Sequence, residues 1–65
     1  MYPNLETERV RRGYAEFFLA EKLGISEEAY RIREKSGAFQ LSEARALSEL
    51  YKQPVEYLFR LPTES

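Results

Sequence analysis

Carboxylates, guanidinium and ammonium groups, and tyrosine and serine hydroxyls are the reactive side chains of this 65-residue sequence, which has neither Cys nor His. That absence excludes a disulfide, a thiolate or imidazole metal site, a Cys nucleophile and an imidazole acid or base. No two carboxylates are placed so as to require an active site. Glu27 and Glu28 are adjacent and splay apart on a helix surface. Helices built from so short a chain leave little concave volume for a substrate, so neither catalysis, nor a cofactor, nor a metal site is expected. Recognition chemistry remains. Arg31 and Lys35 stand four apart, and Arg11 and Arg12 are neighbours, sets of cations that can clamp phosphate around an acidic centre.

Net charge does not advertise such a role. Ten Lys and Arg oppose eleven Asp and Glu, a formal charge of -1. Both signs are also balanced locally, four against four in residues 1–24 and three against three in residues 25–40. Phosphate binding would have to come from the arrangement of these charges in space. The length fits one small domain, here residues 1–65, whose single core must be well packed or helped by a partner. The longest apolar run, Phe17 to Ala20, is far short of a membrane span, and no basic-then-apolar leader opens the chain. A soluble protein of the reducing cytoplasm is the expectation.

The elements that must position these groups are all helices, punctuated by Gly and Pro. Five are expected, over about residues 4–12, 15–22, 26–35, 41–51 and 54–60. Asn4 is a plausible N-cap for the first, in which Glu8 and Arg12 share a face while Leu5 and Val10 give thin apolar content. Leu19, Ala20 and Leu23 form the stripe of the second. Gln40 or Ser42 caps the fourth, with Leu41, Ala44, Leu47, Leu50 and Tyr51 at the helical period. Pro54 suits the first turn of the fifth, whose Val55, Leu58 and Phe59 are expected to point inward.

Between the second and third helices, Leu19-Ala20, Leu23-Gly24-Ile25-Ser26 and Tyr30 have the spacing of a helix-turn-helix. Each residue type has a physical task there. Ala20 is small where the helices cross, Gly24 supplies a positive φ, Ile25 plugs the gap, and Ser26 caps the third helix, with Glu27 and Glu28 complementing its dipole.

With these residues in place, the sequence resembles the lambda-repressor-like (Cro/repressor) helix-turn-helix family, in particular small phage-type transcriptional regulators. The resemblance runs from Asn4 to Phe59. It is carried by Asn4-Leu5, Glu8-Arg9 and Gly13, the segment Leu19 to Ser26, Tyr30 and Glu34, Phe39, Leu41-Ser42-Glu43-Ala44, Leu47, Leu50 and Val55 to Phe59. It implies an all-α, compact five-helix bundle that docks its third helix in the major groove of double-stranded operator DNA, usually as a dimer. Carried over by position, the DNA-binding residues would be Ser26, Glu27, Glu28, Ala29, Arg31, Ile32 and Lys35 of the third helix and its cap, with Glu16 and Phe17 of the second.

The chain departs from its relatives at this surface. They tend to have Thr-Gln where it has Ala15-Glu16, and polar or basic residues where it has Glu27 and Glu28. A carboxylate in the groove can accept from the cytosine amino group, yet near phosphates it is repelled. Phe17 and Phe18 replace residues usually polar. Neighbours on a helix point about 100° apart, so one ring is expected to join the core and the other to be exposed, where it could meet a protein partner. A module that keeps the fold but has lost DNA affinity is accordingly the competing reading. For a homodimer, the fifth helix and tail are the expected contact, through Tyr57 and Leu61.

Overall fold

The structure, a computed structural model, describes residues 2–62, and among these there are five helices and no strand. They run α1 Pro3–Arg12, α2 Glu16–Leu23, α3 Glu27–Ser36, α4 Leu41–Tyr51 and α5 Val55–Leu58. Together they form an all-α bundle about 34 × 22 × 20 Å.

Each helix is started and stopped by the chemistry of its ends. Pro3 occupies the first turn of α1, where its missing N–H costs nothing and its φ is preset. The cap position belongs to Tyr2, and Asn4 lies inside the helix. Its amide nitrogen donates to the Tyr57 carbonyl at 2.8 Å, tying α1 to α5. The expected Asn4 cap is therefore corrected: proline leads the helix, and the half-buried Asn4 is turned to the backbone of α5. At the start of α4, the Gln40 N–H donates to Glu43 Oε1 at 2.9 Å, so Gln40 rather than Ser42 holds the cap position. Pro54 precedes α5, which ends at Leu58, shorter than the 54–60 expected.

The core takes at least one side chain from every helix: Leu5, Leu19, Ala20, Tyr30, Leu47, Tyr51 and Leu58. Two aromatic series extend it. Tyr2 meets Phe59 edge-on at 4.9 Å, Phe59 meets Phe39 at 5.6 Å, and Phe39 meets Tyr30 at 5.9 Å, joining both ends of the described chain to the α3–α4 turn. The Tyr2 hydroxyl closes this series by donating to the Gly37 carbonyl at 3.1 Å. On the other side, Tyr14 packs between Phe18 at 4.7 Å and Tyr51 at 6.0 Å.

Two apolar expectations are overturned: Leu41 is 66% exposed, and Tyr57 is half-buried against the core. Val10 is 61% exposed, which leaves Leu5 as the buried apolar residue of α1. Leu41 lies off the arc that Glu43, Ala44, Leu47 and Tyr51 turn inward, and Glu43 takes an interior position because Arg33 Nε meets it at 3.3 Å. Val55 is only half-buried. Tyr57 is not left over for a dimer contact: its ring covers the core and its hydroxyl donates to Glu8 Oε2 at 3.2 Å. Leu61 is exposed, and residues 63–65 of the tail lie outside the described residues.

Glu8 is the more deeply buried of the two interior carboxylates among the described residues, 1% exposed. Arg12 Nη2 approaches its Oε1 at 3.4 Å and Arg11 Nη1 its Oε2 at 3.6 Å, the i,i+4 and i,i+3 partners of one helix face. Arg12 also donates to the Tyr51 carbonyl at 2.9 Å with its guanidinium 5.4 Å from that ring. One carboxylate thus links α1 to α5 and, through Arg12, to the end of α4. Glu8→Ala is expected to cost about 2 kcal/mol in urea titration, less than a deep ion pair, because the two arginines released can reach water. Tyr57→Phe, which keeps the ring and removes the donor, is expected to cost about 1 kcal/mol. Equal stability of the parent and both variants would remove Glu8 from any structural role.

Candidate nucleic-acid interface

The geometry of α3 follows from its two ends and one anchor. Gly24 adopts φ 74°, a left-handed conformation that glycine enters without strain, and Ile25 N–H returns to the Ala20 carbonyl at 3.0 Å. Ser26 Oγ then accepts from Ala29 N–H at 3.0 Å, starting α3. Ala20 is buried, and Ile25 is half-buried against the core, the plug expected between α2 and α3. Only Tyr30 of α3 is fully buried. Glu27, Glu28, Arg31, Ile32 and Lys35 are all exposed, and Ala29 is half-buried.

The start of α2 meets the middle of this row. Arg31 Nε donates to Glu16 Oε1 at 3.1 Å, and Arg31 Nη2 donates to Glu27 Oε2 at 2.7 Å. Two carboxylates on different helices hold one guanidinium fork, and the hydrogen bond that Arg31 donates to Glu16 raises the Arg31 pKa above its ordinary value. Glu16, Glu27, Arg31 and their neighbours on α3 are therefore brought to one surface. Phe17 is 59% exposed beside them, whereas Phe18 is half-buried against Tyr14, with Lys22 Nζ 5.2 Å from its ring. The expected division of labour between the two rings holds, and Phe17 is the outward one.

The expected cations of α1 lie elsewhere. Arg12 is turned to Tyr51 and Glu8, and Arg11 pairs with Glu8; on α3 itself, Arg33 pairs with Glu43. The phosphate clamp imagined from Arg11 and Arg12 is not built around α3, because the buried Glu8 recruits both. In their place stands a residue that the sequence did not single out. Arg9, with Glu6, Glu16, Arg31, Glu34 and Lys35, lines a cleft of about 200 Å³ between α1, α2 and α3. Its Nη1 donates to the Tyr14 carbonyl at 3.2 Å. The i,i+3 spacing of Glu6 and Arg9 places them on one side of α1, but only the packing of α1 beside α3 brings that side to Glu34.

Burial pushes the Glu34 carboxyl up from its ordinary range, opposed by the positive charge of Arg9 and reinforced by Glu16 and Glu6. Burial likewise pushes the Tyr30 and Tyr51 hydroxyls up, helped in both cases by the charge of Glu34. Among the described residues no group of three or more carboxylates could hold a metal ion, and no helix is long and apolar enough to cross a membrane.

Glu34 gives this surface a pH dependence of definite sign. The folded state binds its proton more tightly than the unfolded chain does, so stability falls as pH rises from the ordinary Glu range through the raised one. Glu34→Gln removes the charge and keeps the shape. It is expected to melt above the parent at pH 7, the gap closing as the pH is lowered toward about 4, where both side chains are neutral. A gap that widens in acid would mean that the Arg9 attraction outweighs burial.

No family model, no curated protein and no solved structure matches the chain.

Proposed function

We propose that the chain is a sequence-specific DNA-binding transcriptional regulator of phage or mobile-element type, a helix-turn-helix protein of the cytoplasm that places α3 in the major groove of an operator. One observation carries the reading: α3 is fixed to the bundle by Tyr30 and its capped end, while Glu27, Glu28, Arg31, Ile32 and Lys35 stand in one exposed row. A helix of this width fits the major groove, where its outward row meets base edges.

Arg31 is the residue assigned to base reading. Its planar fork is oriented by Glu16 and Glu27, and in the groove the same two donors can pass to the O6 and N7 of a guanine. Glu28, without an ion pair within 4 Å among the described residues, is suited to accept from a cytosine amino group. Lys35, one turn beyond Arg31, is left for a phosphate. The acidic row lowers non-specific affinity, since every phosphate approached by Glu16, Glu27 or Glu28 is repelled. Selectivity then comes from replacing a carboxylate by the correct base.

A second reading is favoured by the same ion pairs. Arg31 is already satisfied, and Glu16, Glu27 and Glu28 outnumber Arg31 and Lys35 on a face that also presents Phe17. Such an acidic, aromatic surface suits a protein partner.

Fluorescence anisotropy on a pool of random duplexes, at low salt and again near 0.2 M, separates the two. The proposal expects binding that falls with salt and a selectable subset of sequences that survives; no binding at low salt overturns it in favour of the protein partner. Glu27→Lys with Glu28→Lys is expected to strengthen non-specific binding and steepen the salt dependence, with altered operator preference. If the pair of substitutions changes neither DNA nor partner binding, α3 is not the functional surface.

A further inference from the structure

The outer face of α1 is unpartnered and patterned. Pro3, Glu6, Thr7, Val10 and Arg11 form one exposed stripe along the helix, and Val10 is among the most exposed large apolar side chains of the described residues. Glu6, at the edge the stripe shares with the Arg9–Glu34 cleft, has no ion partner within 4 Å among those residues, and Arg11 has only Glu8 at 3.6 Å while its own side chain is 63% exposed. None of the five residues is on α3.

We propose that this stripe is an interface for a second copy of the chain, with the two α1 helices parallel about a twofold axis. The spacing is that of a heptad: Pro3, Thr7 and Val10 take the alternating three- and four-residue positions of a seam, and Glu6 and Arg11 flank it five residues apart. In a parallel pair, the flanking residue before one seam position lies beside the flanking residue five positions later on the partner. Glu6 of each copy then meets Arg11 of the other, twice by symmetry. An antiparallel pair would set Glu6 against Glu6 and Arg11 against Arg11, so the charges select the parallel arrangement. Short, β-branched Thr7 and Val10 let the axes approach to about 8–10 Å.

The other exposed stripe lacks this self-complementarity. On α4, Leu41, Ser42, Arg45, Ala46 and Glu49 are exposed, but Arg45 and Glu49 are four apart along one edge and do not flank a seam. Three turns of α1 cover less than the roughly 800 Å² per partner of a standard interface. The dimer is accordingly weak, with a dissociation constant on the order of 100 μM. It does not depend on the DNA reading.

Sedimentation equilibrium of the chain from about 10 μM to 1 mM tests it, with circular dichroism confirming that each variant is folded. The parent is expected to shift from monomer to dimer over that range. Val10→Glu, at an exposed position, is expected to weaken association at least tenfold, as are Glu6→Arg and Arg11→Glu separately. An equimolar mixture of the last two variants should recover dimers, because each Arg then faces a Glu on the other chain. A parent that stays monomeric at 1 mM overturns the proposal. So does a dimer that survives Val10→Glu unchanged, and loss of the dimer with Leu41→Glu in its place would move the interface to α4.

Discussion

The outward row of α3 depends on a single buried side chain. Tyr30 is the one residue of that helix fully withdrawn from solvent, and it sits at the end of the aromatic series that runs through Phe39 and Phe59 to Tyr2. A phenol ring buries much apolar area, and the half-buried Ala29 and Glu34 and the Arg33–Glu43 pair hold the same side of the helix against the bundle. Ser26 and Gly24 fix where the helix starts, and Tyr30 fixes how it is rotated. Once those are set, Glu27, Glu28, Arg31, Ile32 and Lys35 have nowhere to go but outward.

Charge in this molecule is organised as local pairs. Glu8 holds Arg11 and Arg12, Glu43 holds Arg33, and Glu16 and Glu27 share Arg31. The pairs do different work according to burial. Around Glu8 and Glu43 the carboxylate is inside the bundle, and its cation keeps it there. At Arg31 the guanidinium and Glu27 are about half exposed and Glu16 about a quarter, and near the surface an ion pair contributes little to stability and is easily exchanged for another. Only the second kind can be given up to a ligand without disturbing the fold, which is why Arg31 rather than Arg12 or Arg33 suits recognition.

Local chemistry was readable where a residue acts on its own turn. Gly24, Ser26, the Glu8–Arg12 spacing and the opposed directions of Phe17 and Phe18 are properties of one helix or one cap, and neighbours three to five positions apart decide them. Asn4, Leu41 and Tyr57 differ from their expected roles for a common reason. Each could serve two roles with equal local merit, and the choice fell to a group distant in sequence: Tyr57 for Asn4, Arg33 for the α4 arc, Glu8 for Tyr57. The cleft at Arg9 and Glu34 was illegible because no helical period links α1 to α3.

The amino-acid sequence by itself determined the number, type and approximate bounds of the helices, the turn between α2 and α3, and the residues α3 would show. Those follow from backbone propensity, capping and a 3.6-residue period, all of which act within a few residues. Tertiary structure alone decided which charges are free. Arg12 and Arg31 each have a carboxylate four residues away on their own helix, but the Tyr51 carbonyl beside Arg12, Glu16 beside Arg31, Glu43 beside Arg33 and the cleft beside Arg9 are brought there by the rotation of whole helices against one another.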